Sequence, residues 1–168
     1  MAVLPFSNET NDVDGPQRVR KVFIALLPTR GYNPLSWEEV DHILQTEFGI
    51  TEGGQLGSVA PAELARALHV DGLFYGNVIT FVDFPFGFGR KRTVKTSFKL
   101  VEPLNNELLW EDVRSWTTPE IHLSAQEARE AVKRQILERQ LEKMNDTFLL
   151  DESRIVVQRA LLNLPLAK

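Results

Sequence analysis

The sequence predicts an α/β (α+β) fold: one domain holding a mixed β-sheet of about five strands flanked by helices. Three observations carry this. An apolar, strand-like segment opens the chain and runs into turn formers, three long β-patterned segments fill the centre, and helical periodicity brackets them on both sides. No internal repeat, low-complexity tract or Pro/Gly/Ser linker divides the 168 residues, so a single unit is expected over 1–168, with C-terminal helices at about 123–164.

In chain order, Ala2 to Phe6 reads as a strand, and Ser7 to Asp12 as turn. Gly15-Pro16 opens a helix whose apolar residues Val19, Val22, Phe23, Leu26 and Leu27 face in, against a polar face of Arg18, Arg20 and Lys21. Gly31 ends it, and Tyr32 to Leu35 has room only for a short strand. Ser36 with Glu39 makes a capping box ahead of a helix carrying Val40, Ile43, Leu44 and Phe48. Thr51 to Ala60 is a glycine-rich loop, and Pro61 to Leu68 a short helix.

Leu73 to Val82 is apolar on both alternating faces, the pattern of a strand covered on both sides. Thr93 to Val101 alternates, and Glu107 to Thr117 follows through a turn at Pro103-Leu104-Asn105-Asn106. Ser124 with Glu127 is a second capping box, ahead of an apolar stripe of Ala128, Val132, Ile136, Leu137, Leu141 and Met144. A final helix spans about Glu152 to Asn163.

Composition narrows the function classes. With 43% hydrophobic and 25% charged residues the chain is an ordinary globular sequence, and at 168 residues it can bury one core without staples. Cysteine is absent, which removes disulfides, thiolate catalysis and cysteine-held metals. A net charge of −4 gives no global pull toward nucleic acid or anionic lipid. No apolar run reaches the ~18 to 20 residues that a membrane span needs. The chain opens directly inside a strand without a basic or long apolar leader, so an upstream segment missing from this sequence is expected.

Chemical constellations are sparse. His42, His69 and His122 show no metal-ligand spacing, and Glu38, Asp41 and His42 share a helix face that reads first as solvated. Gly53-Gly54-Gln55-Leu56-Gly57 lacks the ending of a phosphate loop and follows a helix rather than a strand. No catalytic residue, metal site or cofactor is expected.

One segment stands apart: Phe81-Val82-Asp83-Phe84-Pro85-Phe86-Gly87-Phe88-Gly89-Arg90-Lys91-Arg92. It joins two strands, and Pro85, Gly87 and Gly89 argue against regular pairing through its middle. Its four phenylalanines either fold back on their own domain or form a contact patch. The candidate interaction site is Phe84, Phe86, Phe88, Arg90, Lys91 and Arg92. It suits a protein partner, self-association or an anionic membrane surface. Single-stranded nucleic acid also pairs aromatics with cations, but the acidic balance argues against it.

The opening Val3-Leu4-Pro5-Phe6-Ser7-Asn8-Glu9-Thr10, the Ala62-Glu63-Leu64 helix leading to Asp71-Gly72-Leu73-Phe74-Tyr75-Gly76-Asn77-Val78, and the hairpin Lys99-Leu100-Val101-Glu102 to Glu107-Leu108-Leu109-Trp110-Glu111 resemble one family. It comprises small bacterial lipoproteins related to the curli-secretion component CsgG and the penicillin-binding-protein activator LpoB, with a fold similar to the N-terminal domain of TolB. The resemblance covers about Ala2 to Thr117. It implies a non-enzymatic periplasmic protein, held at the outer membrane by a lipid anchor absent from this sequence. Such a protein works through protein partners in the cell envelope, in outer-membrane assembly or secretion; the phenylalanine segment adds a homodimer as a further expectation, and the acidic balance leaves nucleic acid out. The alternative is a small-ligand-binding domain or cryptic enzyme using residues 51–60.

Overall fold

A computed structural model describes residues 1–86, 89–121 and 125–167, with the side chains of 125–129 excepted. Five strands form one mixed sheet: β1 (Ala2–Val3), β2 (Ser7–Asn8), β3 (Leu73–Phe86), β4 (Gly89–Glu102) and β5 (Glu107–Ile121). β1 and β2 both run parallel to β3, with Ala2 opposite Leu73 and Asn8 opposite Val78. β3, β4 and β5 form an antiparallel meander. The opening strand is thus two short pieces on one neighbour, split around Leu4, Pro5 and Phe6.

Five α-helices accompany the sheet: α1 (Gly15–Leu26), α2 (Trp37–Phe48), α3 (Pro61–Leu68), α4 (Ala125–Met144) and α5 (Leu150–Leu161). The Ser36 hydroxyl accepts a hydrogen bond from the Glu39 N–H at 3.2 Å, as the capping pattern requires. Residues Tyr32 to Leu35 form no strand. Leu35 N–H donates once to Met1 O at 3.0 Å, and the Tyr32 ring packs edge-on to Phe74, so a side-chain contact replaces the expected ladder.

Two apolar cores lie on opposite faces of the sheet. On one face Phe6, Phe23, Phe74, Phe98 and Trp110 pack with α1 and α5, the Phe23 and Phe98 rings stacking at 4.9 Å. On the other, Val40, Leu44, Leu64, Leu68 and Leu73 pack under α2 and α3. Arg20, expected on a solvated helix face, is fully buried: it donates to Val3 O and to the Asp41 carboxylate at 2.7 Å, tying α1, β1 and α2 together. Arg18 is also buried, with its Nε 2.6 Å from Asp146.

The meander outruns the second core. β2 leaves β3 at Val78, yet the pairing of β3 with β4 continues through Phe84 with Lys91, Pro85 with Arg90 and Phe86 with Gly89. The expectation that Pro85 and Gly89 interrupt the pairing is therefore corrected, and Gly87 lies outside the described residues. Beyond Val78, β3 is an edge strand, and an edge tolerates a proline that has no N–H to give. Residues 79–86, 89–96 and 113–121, with α4 laid along them, form an arm. Its far end lies about 43 Å from Leu73, counting ~3.3 Å per residue along the 14 residues of β3.

Candidate interaction surface

A bulge sets which side of the arm is exposed. Val78 pairs with Thr96 and Thr80 with Lys95, leaving Ile79 as the extra residue in β3. The shift puts Phe81 on the same face as Val78, in the core against Phe148 at 5.9 Å. From there strict alternation turns Phe81, Asp83 and Pro85 toward the helices and Val82, Phe84 and Phe86 outward. Phe84 is 58% and Phe86 43% exposed. Across the strands, Phe84 lies in register with Lys91 and Pro119, and Phe86 with Gly89 and the exposed Ile121. An apolar patch with one cation at its centre results.

The basic triplet divides. Arg90 is buried and turns inward, giving two hydrogen bonds to Asp83 at 2.7 and 2.6 Å and a third to Glu138 of α4 at 3.2 Å. Hydrogen bonding to Asp83 raises its pKa further above the usual guanidinium range. Arg92 also turns inward, to Glu142 at 3.1 Å and to the buried Glu152 at 3.3 Å. Of the three, Lys91 alone points out. Of the six candidate residues, Arg90 and Arg92 are therefore not on the open face: both guanidiniums fasten the hairpin to α4 and α5, and Phe88 lies outside the described residues. Sequence reasoning missed Val82, Ile121 and Lys95 on the open face and Asp83 beneath it. The period-two alternation around Phe84 is the signal that finds them.

The apolar stripe of α4 also faces away from the sheet. Buried Ala131 and Gln135, with Glu138 and Glu142, form its inner side. Leu137 is 60% and Met144 81% exposed, with Val132, Ile136 and Leu141 also open. Ser124 lies outside the described residues, as do the side chains of Glu127 and of Ala128 in the expected stripe.

A cleft of about 800 Å³ opens on the same sheet face as the aromatic patch, at the body end. Its floor is Tyr75, Asn77, Ser97 and Lys99, and its wall is Gly53, Gly54 and residues 56–61. The expected loop there is a 3₁₀ helix, Gly53–Ser58, held by a reciprocal Glu52–Gln55 capping box. Gly53 is required: a Cβ would run into the backbone of Phe6 and Ser7. Burial raises the Tyr75 phenol pKa above its ordinary value of 10.0. The Asn77 Nδ2 donates to Glu9 at 2.5 Å, while its buried Oδ1 has no partner among the described residues.

The Glu38/Asp41/His42 face resolves into the Arg20–Asp41 pair and an exposed His42. His69 caps α3 in the left-handed conformation, at φ 52°, and His122 lies outside the described residues. Among the described residues, no group of three His, Cys, Asp or Glu side chains could hold a metal ion, and no helix is long and apolar enough to cross a membrane.

No family model and no curated protein matches the chain. Solved structures do. Lipoprotein GNA1162 from Neisseria meningitidis is similar at 21% identity and TM-score 0.66, over 82% of this chain and 94% of that one. A PelC dodecamer from Paraburkholderia phytofirmans is similar at 14% identity and TM-score 0.56, over 99% and 87%. LpoB of E. coli is similar at 12% identity and TM-score 0.51, over 71% and 56%. Likeness at such identities concerns the backbone: the chain has the fold of the bacterial lipoproteins GNA1162 and LpoB, as its sequence resemblance implies.

Proposed function

We propose that this protein is a non-enzymatic, lipid-anchored component of the bacterial envelope that docks protein partners through the outer face of its arm, in outer-membrane assembly or secretion. The observation that carries the reading is the pair of exposed rings, Phe84 and Phe86, beside Val82 and Ile121. Burying such a side chain contributes ~1.5 to 3 kcal/mol, so the patch rewards a partner that covers it. Its likeness in fold to a lipoprotein, GNA1162, supports the envelope setting, and its likeness to a PelC dodecamer supports self-association as one form of partnership.

The patch holds one outward cation, Lys91, in a chain of net charge −4, which favours a protein partner over an anionic lipid surface. The test places a photo-crosslinking phenylalanine at position 84 of the anchored protein in cells, with the same residue at exposed Leu162 as control. A protein adduct specific to position 84 supports the reading. A phospholipid adduct, or none, overturns it.

A second reading keeps the cleft for a small ligand of residues 51–60. Its volume falls within the range of ligand pockets, and the unpartnered Asn77 Oδ1 offers an acceptor to a ligand donor. A thermal-shift screen of metabolites in which none raises Tm would remove it.

A further inference from the structure

We infer that the aromatic arm of one copy of this chain seats in the 800 Å³ cleft of the next, so that copies associate head to body rather than as a two-fold dimer. This rests on the reading that the arm's outer face is a docking surface, and names its occupant as a second copy.

Charge is the first argument. Residues 79–96 and 113–144 carry ten basic and six acidic side chains, whereas the remainder carries nine and seventeen, so a net +4 arm is joined to a net −8 body. On the arm's open face Lys91 and Lys95 stand on β4 with Thr93 between them, neither with an acidic partner among the described residues. At the cleft the one charged lining residue, Lys99, is balanced by Glu111 at 3.3 Å, and Glu52, Glu102 and Glu107 each stand next in the chain to a lining residue, so the rim is acidic. Opposite potentials steer one end of the molecule toward the other end of a second.

Shape is the second. Leu56, Val59, Pro61, Val101 and Leu108 give the cleft apolar walls, and its volume is that of a site for a drug-sized molecule, ample for two phenyl rings. The chain cannot fill its own cleft with its own rings. Asn77 in the floor and Phe84 sit seven residues apart on one continuous strand, about 23 Å along it. Only another molecule can bring the rings there. A contact between two different patches of the same chain leaves one of each unused at the ends, and so propagates or closes into a ring.

Sedimentation and light scattering test this by complementation. An arm variant, Phe84→Ser with Phe86→Ser, keeps its cleft; a cleft variant, Gly57→Trp, keeps its arm. Gly57 lines the cleft and has open space where a Cβ would go, so a tryptophan there adds bulk at the cleft's wall without disturbing the backbone. Wild-type protein should associate with concentration, and do so at least ~tenfold more weakly on passing from 50 to 500 mM salt. Each variant alone should stay monomeric at concentrations where wild type assembles, and the two mixed should give a one-to-one complex and nothing larger.

Wild type that remains monomeric at every concentration overturns the inference, as does a Gly57→Trp protein that assembles normally or a mixture that stays monomeric. Should either variant lose its melting transition, Gly54→Trp and Lys91→Glu with Lys95→Glu replace them, with the same outcomes. If complementation fails while position 84 still crosslinks to a different envelope protein, this inference falls and the proposed function stands. If both fail, both fall.

Discussion

A guanidinium sits at Arg20 with no exposure to solvent, its Nε and Nη2 donating to Val3 O and its Nη1 to Asp41. Burial lowers its pKa and the Asp41 charge works against that fall, so it remains a buried cation matched to a carboxylate. Arg20→Ala leaves the Val3 carbonyl without a donor and Asp41 without its partner. The expected loss is about 3 kcal/mol in urea denaturation. Helical periodicity alone puts this arginine on the polar face of α1, because a pattern records which face is apolar and not which polar residue meets a strand end. Tyrosines give a second residue-level outcome. Burial raises the Tyr75 and Tyr32 phenols above 10.0, so the folded protein holds both protons more tightly than the unfolded chain. That stability is whole below about pH 10 and is lost as the pH climbs through the raised values. Denaturation curves between pH 8 and 11 should show wild-type stability falling and Tyr75→Phe falling less.

At the scale of elements, the arm is where apolar and polar positions exchange their usual places. α4 meets the sheet through Ala131, Gln135 and ion pairs from Glu138 and Glu142, while Leu137, Leu141 and Met144 stand in solvent. Leu137→Gln with Leu141→Gln should change stability by no more than about 0.5 kcal/mol each, read from thermal melts. Asp83→Ala should cost about 3 to 5 kcal/mol, because Arg90 is left charged and buried beside one partly exposed glutamate. The helix itself was legible in its apolar spacing, but its orientation was not. Spacing says that a stripe exists, and only the inward-turning Arg90 and Arg92 decide that the acidic face packs. The arm strands escaped for a related reason. Pro85 argues against a strand wherever both neighbours are assumed, and nothing local announces that β2 ends at Val78 and frees that edge.

The whole molecule divides into parts held by different forces, and this has a dynamic consequence. The body has an apolar core on each side of the sheet, with Phe23, Phe74 and Phe98 fully buried on one and Leu44, Leu64 and Leu73 on the other. That half was readable from alternation and from the family motifs, because burial on both faces leaves a pattern in every element. Past Phe81 the arm buries few large apolar side chains. Its inner face is held by Asp83–Arg90–Glu138 and Arg92–Glu142–Glu152, whose strength depends on geometry more than on area removed from water. Segments with few buried apolar contacts open at a lower free energy than the global transition. Native-state hydrogen exchange should therefore find two levels. Amides of 82–86 and 89–92 should exchange through a local opening well below the global free energy, and those of Phe74 and Phe98 only with complete unfolding. Asp83→Ala should lower both levels by the same amount, since the tie it cuts is absent from the arm-open state and from the unfolded chain alike, whereas Arg20→Ala, whose contacts lie in the body, should lower only the second. A single level across both regions, or an Arg20→Ala that lowers the two equally, would show that arm and body melt as one cooperative unit.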